Sequence, residues 1–374
     1  MAKDPYADAG VNLELGDKAS EILYNAAKLT WKNRKGKFGE VIEPFPDFSS
    51  FRGVHVGGLP IGTIMNLGLD GVGTKVELGE RCFKHDTVAL DLFAMVCDDA
   101  VVRGAEPVLV GSILDVKSLG GENKPYINFV KQLALGYIKA ASEANVVVVN
   151  GEIAELGARI QGFGEFNYNW GAAVVWFAKK ERAFTGKKVK VGDTLVGLKE
   201  KGFRSNGLSL VRKVFGEKYG ENWHEKDFSG SKIGELVLTP SCIYTRAVVD
   251  MFGGFNGEPK VELNGAAHIT GGGLPGKVGR MLKPTGFGAL IDNPFLPSDL
   301  MLHCQEAGKV SDAVAYKTWN MGQGMVIATP DPNGVIDVAL SHGIEAKKVG
   351  KVVNNPRILI KSNGFFSKGQ TLEF

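Results

Sequence analysis

A chain of 374 residues is longer than one hydrophobic core usually fills, so two domains are expected. Hydrophobic and charged fractions of 44% and 23% are those of a soluble globular chain, and a formal charge of +3 excludes a strongly basic nucleic-acid or membrane surface. No run approaches a membrane span, MAKDPYADAG has no signal-peptide stretch, and Cys82, Cys97, Cys242 and Cys304 lack C-x-x-C spacing, which together predict a cytoplasmic protein with reduced thiols and no zinc site.

In chain order, an amphipathic stretch from Ala19 to Leu29 leads into basic WKNRKGKFGE, and EPFPDFSSFRG reads as a surface loop. Three apolar runs then each close on an acid: IMNLGL on Asp70, VLVGSIL on Asp115 and VVVVNG on Glu152. Short apolar runs bounded by glycine or charge read as buried strands. If these strands are neighbours, their carboxylates converge where a hard cation such as magnesium binds. The plainer alternative is that each acid caps or solvates a loop.

The run GLDGVGTK (Gly68 to Lys75) approaches a P-loop, but Thr74 and Lys75 stand in the wrong order and VELGERC does not read as the helix that a P-loop needs. Its glycines still expose backbone N–H groups, Lys75 offers charge and Asp70 can hold a metal; an Asp-Gly turn is the bland reading. In HDTVALDLFAMVCDDAVVRGAEP, Leu90, Phe93, Ala94, Cys97 and Val101 fall at helical spacing, with Gly104 and Pro107 as stops. Asp98 and Asp99 then sit mid-helix, either with Asp99 in a surface pair with Arg103 or turned toward the cation of Asp70. A second helix is expected from Tyr126 to Ala144.

The basic connector KKERAFTGKKVKVGD places a domain boundary that divides the chain into 1–178 and 179–374. Beyond it, strand and helix patterns alternate, and two loops share one design. GFRSNG (Gly202 to Gly207) precedes LSLVRKVF, and HITGGG (His268 to Gly273) precedes LPGKVGRML. Each runs into a helix N-terminus, where free N–H groups and partial positive charge attract anions. Capping by Ser205, Asn206 or Thr270 is the alternative, and His268 is either a phosphate ligand or a satisfied core histidine. The tail ILIKSNGFFSK, with Asn-Gly between two β-like runs, predicts a final hairpin.

Taken together, YADAGVN (Tyr6 to Asn12), DGVGTK (Asp70 to Lys75), HDTVALDLFAM with DD-x4-GAEP (His85 to Pro107), GEIAE (Gly151 to Glu155), SNGLSLVRK, LTPSCIY, HITGGGLP and WNMGQGM resemble the phosphoribosylformylglycinamidine cyclo-ligase (AIR synthase) family over nearly the whole chain. The resemblance implies a two-domain α/β (α+β) AIR synthase-like fold. Its N-terminal mixed sheet would form a barrel across a homodimer, and its C-terminal domain would be α/β. It implies ATP-dependent closure of the imidazole ring of formylglycinamidine ribonucleotide with Mg2+, and no nucleic-acid or membrane partner. By motif matching, Asp70, Lys75, Asp99, Glu152 and Arg204 are the implied catalytic residues, and Asp70, Asp99 and Glu152 the metal or phosphate neighbours; Asp115 joins the metal set by its place at a strand end. Gly36, Lys37, Phe38 and Gly39 with Gly71, Val72, Gly73 and Thr74 would hold ATP. Ser205, Asn206, His268, Thr270, Gly271 and Gly272 would face the ribonucleotide. A kinase-like enzyme, or a divergent nucleotide-binding protein on the same fold, is the alternative.

Several positions depart from the family pattern. Arg204 stands where a histidine is usual, Asp98 where an asparagine is usual, and Ile153 where threonine is usual. Arginine keeps positive charge but cannot shuttle protons near neutral pH, while Asp98 adds a negative charge beside the implied metal. On this reading Arg204→His should be tolerated.

Overall fold

The computed structural model describes residues 12–43, 51–121 and 124–374. The YADAGVN segment before Asn12 and most of EPFPDFSSFRG lie outside the described residues. The chain divides into two compact units: residues 1–97 with 107–177, and residues 98–106 with 178–374. Asp98–Glu106, which a contiguous division at 178 assigns to the first half, belongs to the second unit.

The first unit contains α1 (Leu13–Thr30), β1 (Thr63–Gly71), α2 (Val76–Cys82), most of α3 (Val88–Val101), β2 (Glu106–Val116), α4 (Ile127–Ala144), β3 (Val147–Glu155) and β4 (Tyr168–Lys179). Its four strands are ordered β1–β4–β2–β3, with β2 and β3 parallel. Alternation along β4 buries Tyr168, Trp170, Ala172, Val174 and Trp176 on one face of the sheet and leaves Asn169, Gly171 and Ala173 on the other. That second face is apolar yet open in the single chain: Leu69 is 73% and Ile113 56% exposed.

VELGERC forms α2, contrary to the reading of the sequence. Gly79 argues against a helix on propensity alone. Glycine suits the close packing there, since a Cβ would stand 3.1 Å from the Tyr168 hydroxyl and 3.2 Å from His85 Nδ1. Tertiary packing therefore overrides propensity, helped by an Arg81–Glu77 pair at 2.8 Å.

The second unit is built on a seven-stranded sheet. In chain order its elements are β5 (Thr194–Lys199), α5 (Leu208–Tyr219), α6 (Ile233–Val237), α7 (Thr245–Phe252), β6 (Gly265–His268), α8 (Gly273–Leu282), β7 (Gly288–Ile291), α9 (Asp299–Gly308), α10 (Asp312–Thr318), β8 (Gln323–Thr329), α11 (Pro332–Ser341), β9 (Ala346–Val353), β10 (Ile358–Lys361) and β11 (Thr371–Glu373). The strand order is β6–β8–β5–β9–β7–β10–β11. Val196 and Leu198 of β5, Met325 and Ile327 of β8, and Val248, Met251 and Phe252 of α7 form the core that supports the loops leaving β5 and β6. Gly324 is there because a Cβ would meet the Tyr244 hydroxyl at 1.9 Å, and that hydroxyl donates to the Lys199 carbonyl at 2.8 Å.

The terminal hairpin pairs β10 with β11, so its second strand is Thr371–Glu373 and not FFSK. The Asn-Gly pair is not its turn. The intervening loop wraps the buried Asp312 carboxylate, which accepts from Ser362 Oγ (2.6 Å) and from the Phe366 and Ser367 amides (3.0 and 2.9 Å). A buried carboxylate that needs several donors outweighs local turn preference here.

In the first unit His85 is buried among Phe129, Phe166 and Tyr168, and burial lowers its pKa from 6.5 to about 4. The neutral ring favours the folded state, so this stabilisation is complete above pH 6.5 and is lost as pH falls toward 4. The loss should be about 3 kcal/mol. Melting temperatures measured from pH 7.5 to 4.5 should fall less steeply for His85→Phe than for the parent; parallel curves would contradict this assignment.

Candidate functional site

Within the first unit the three acids do not converge. Asp70 and Asp115 are each the penultimate residue of their strand, whereas β3 continues three residues beyond Glu152. Because β4 lies between β1 and β2, Asp70 and Glu152 stand three strand spacings apart across the sheet, about 14 Å. Asp115 pairs with Ala154, two residues and about 7 Å beyond Glu152. Among the described residues no three His, Cys, Asp or Glu side chains form a group able to hold a metal by themselves.

The DGVGTK loop is shaped at both ends. Asp70 Oδ1 accepts from the Gly71 amide at 2.7 Å, and the Val72 amide donates to the Trp170 carbonyl at 3.0 Å. Val72 and Lys75 are buried, which leaves Gly73 and Thr74 exposed at the apex. Lys75 does not project from the loop. Its ammonium lies 2.7 Å from Asp91 Oδ1, with both side chains fully buried, so its charge serves the interior of the unit.

The Gly36–Gly39 loop lies elsewhere on the same sheet. Phe38 packs edge-on against Phe177 at 4.8 Å, and a Cβ on Gly39 would meet Val108 at 2.2 Å. Arg34 ties the loop to the Pro107 and Asn145 carbonyls at 2.6 and 2.7 Å. Phe177 is seven residues along β4 from Trp170, a span of about 23 Å. Within one chain this loop and DGVGTK therefore sit toward opposite ends of the strand.

In the second unit the two loops before α5 and α8 share an uncapped start. Gly207 and Gly272 occupy the N-cap positions with φ of 73° and 94°, and neither helix has a side-chain cap. Capping by Ser205, Asn206 or Thr270 is thus excluded. Ser205 Oγ and Asn206 Oδ1 are buried without a hydrogen-bond partner, unusual for interior polar atoms and suited to groups awaiting a ligand. The three glycines of HITGGG have separate reasons. Gly273 is dictated by packing, since a Cβ would meet the Tyr316 carbonyl at 1.9 Å; Gly272 has the left-handed backbone; Gly271 borders open space.

Between these loops lies a network that the sequence did not disclose. Arg204, on the GFRSNG loop and fully buried, adopts φ 61°, a region costly for a residue with a Cβ. Its guanidinium donates to Glu200 Oε2 (2.5 Å), the Cys242 carbonyl (3.1 Å), Asp98 Oδ2 (3.4 Å) and His268 Nε2 (2.6 Å). Burial disfavours its charge, but Glu200, Tyr244 and Asp98 more than restore it and hold its pKa above the usual range.

Asp98 also accepts from the Tyr244 amide (3.0 Å) and Thr245 Oγ1 (2.9 Å), and burial lifts its carboxyl to about 7. It is fully buried, and its ionic partner is Arg204. Both ring nitrogens of His268 are engaged, since Nδ1 lies 2.8 Å from Asp99 Oδ1. Burial, reinforced by Arg204, lowers the His268 pKa to about 4, so it is a neutral, satisfied core histidine and not a cationic phosphate ligand.

Asp99 sits near the C-terminal end of α3 and keeps 40% of its side chain exposed, with Arg103 at 3.8 Å. Burial alone would raise its pKa, but the hydrogen bond from His268 and the charges of Arg103 and Lys277 win and lower it.

These two units match two family models: AIR synthase related protein, N-terminal domain, over residues 59–168, and AIR synthase related protein, C-terminal domain, over residues 190–361. A phosphoribosylformylglycinamidine cyclo-ligase of Thermococcus kodakarensis is 32% identical, covering 96% of this chain and 98% of the relative. The enzyme of that name from Methanocaldococcus jannaschii is 34% identical, covering 94% and 92%. Among solved structures, E. coli HypE superposes with a TM-score of 0.59 at 15% identity over 93% of this chain and 96% of that one, a likeness of fold alone. The fold and its two loop systems define a two-domain α/β protein of the AIR synthase related type. The chain belongs to the phosphoribosylformylglycinamidine cyclo-ligase family.

The partition of the glycines is directly testable. Gly273→Ala must displace the Tyr316 backbone and should lower stability by about 1–3 kcal/mol. Gly271→Ala should leave urea unfolding within about 0.5 kcal/mol of the parent, while weakening turnover with the ribonucleotide. Equal stability losses in the two variants would contradict the separation.

Proposed function

We propose that this chain catalyses ATP-dependent closure of formylglycinamidine ribonucleotide to 5-aminoimidazole ribonucleotide, releasing ADP and phosphate. The observation that carries the reading is the end-to-end identity of 32–34% with cyclo-ligases. It is supported by two uncapped helix starts, with Ser205 Oγ and Asn206 Oδ1 unpartnered beside the first. In this reaction the amide oxygen attacks the γ-phosphorus and the bond to ADP breaks. A nitrogen of the amidine side then attacks the activated carbon, phosphate departs, and a proton is lost as the ring closes. Backbone N–H groups at the starts of α5 and α8 suit the ribonucleotide's phosphate and the developing negative charge.

The donor set suits magnesium that arrives with phosphates. That ion keeps several waters and takes only one or two carboxylates, so separated acids are acceptable where a three-acid cage is missing. In the first unit Asp70 and the exposed Glu152 are the proposed metal neighbours, with Gly71, Val72, Gly73 and Thr74 offering backbone to the nucleotide. In the second unit Asp99 is the proposed metal or phosphate neighbour. When bound, magnesium would neutralise charge on the moving phosphoryl group. Lys75 and Arg204 act from the interior; Gly36–Gly39 rests on the resemblance alone, and Asp115 on its place near the end of β2.

A homodimer is part of the proposal, because Leu69 and Ile113 leave an apolar sheet face open in one chain. Among the described residues no helix is long and apolar enough to cross a membrane.

With ATP, magnesium and formylglycinamidine ribonucleotide, the protein should form ADP and the aminoimidazole product in equal amounts. ADP without ring product would point to another phosphoryl acceptor and overturn the assignment. Asp70→Asn retains an oxygen for the Gly71 amide, so it should fold normally yet lose about 10²-fold or more in magnesium-dependent turnover. Sedimentation should show a dimer that Leu69→Glu with Ile113→Glu dissociates; an unchanged mass would place the interface elsewhere.

A further inference from the structure

We propose that Arg204 is a positioning residue, which fixes the proton of His268 on Nδ1 and thereby holds the Asp99 carboxylate in its orientation. An arginine side chain has only donors, so His268 Nε2, 2.6 Å from it, must accept. The ring proton is then on Nδ1 and donates to Asp99 Oδ1 at 2.8 Å.

The guanidinium is itself immobilised by Glu200 and Asp98, which are held in turn by Tyr244, Thr245 and the Cys242 amide. One rigid line thus runs from two buried carboxylates through Arg204 and His268 to a carboxylate that reaches solvent. A lysine's three donors leave a single nitrogen, whereas the guanidinium reaches Glu200 from Nη1 and Asp98 and His268 from Nη2, so lysine cannot reproduce the planar fork that fixes the ring. Only the importance of Asp99 for turnover rests on the function proposed above; the proton placement does not.

The test uses the full chain, with Arg204→Met, Arg204→Met combined with Asp98→Asn, and Arg204→Lys. Glu200 keeps the Lys201 and Cys242 amides as donors in all three. The readouts are thermal stability, kcat and KM, and long-range proton–nitrogen spectra of 15N-histidine protein, with the His268 signal assigned through His268→Gln.

The parent should show His268 as a single Nδ1–H form. Arg204→Met should lose stability, and adding Asp98→Asn should restore part of it by removing one of the two buried carboxylates left without their ionic partner. In that double variant the ring should still populate both tautomers. Its kcat should stay down by about tenfold or more, with KM for ATP changed by less than about threefold. Arg204→Lys should regain stability but not the single tautomer.

If the double variant regains the single tautomer and full kcat together with stability, Arg204 only balances charge and the proposal is overturned. An unchanged tautomer in all variants overturns it as well. If the parent shows no ring closure, the functional reading fails, and the spectra still decide the placement of the proton.

Discussion

The second unit is organised around one guanidinium that can only donate. Arg204 is buried, so every acceptor around it must be supplied by the fold, and an unmet ionic group at that depth would be strongly destabilising. Glu200 just beyond β5, Asp98 from α3, the Cys242 carbonyl and His268 at the end of β6 take the Nη1 and Nη2 donors, while Nε is buried without an acceptor among the described residues. Four separate stretches of chain are therefore fixed to one another by one side chain. The same demand accounts for Asp98–Glu106 belonging to the second unit: its first residue is a counter-ion in that unit's interior. The strained φ of Arg204 persists because this network over-determines the loop.

Rigidity beneath the loops is matched by openness above them. Uncapped helix starts would ordinarily be a defect, since the first N–H groups of a helix need partners. Here both lie beside glycines whose Cβ positions are empty or unavailable, with hydroxyl and amide groups left over on the GFRSNG loop. The capping residues are present in the sequence but are not used as caps. The loops leave their helix starts without side-chain caps while Arg204 and His268 anchor them from beneath.

Periodicity made the main helices and strands legible, along with the stop signals after Val101 and the two loop–helix junctions. What it could not convey was lateral order. The inference that three acids converge required β1, β2 and β3 to be adjacent, and β4, formed by a much later segment, separates β1 from the other two. Helix propensity missed α2 because its glycine answers to close packing against Tyr168, far along the chain, and His85. Lys75 looked like a phosphate ligand by motif; Asp91, sixteen positions on, takes its charge inside. In each case a single long-range partner decided the outcome, and spacing along the chain carries no record of such partners.

The two departures at Asp98 and Arg204 illustrate the same limit from the other side. Read singly, one adds an anion near a cation site and the other removes a proton shuttle, and each casts doubt on the substrate. Read in three dimensions, they lie 3.4 Å apart and fully buried, forming part of one internal charge balance with Glu200. A histidine at 204 would be too short to reach both carboxylates and the His268 ring, and would leave Asp98 without its ionic partner, so Arg204→His alone should be disruptive and not neutral. Substitutions that compensate each other beneath a loop can leave its ligand-facing surface unchanged. The substrate class is then better judged from the exposed Gly271 and Gly272 than from the identity of the buried residue at 204.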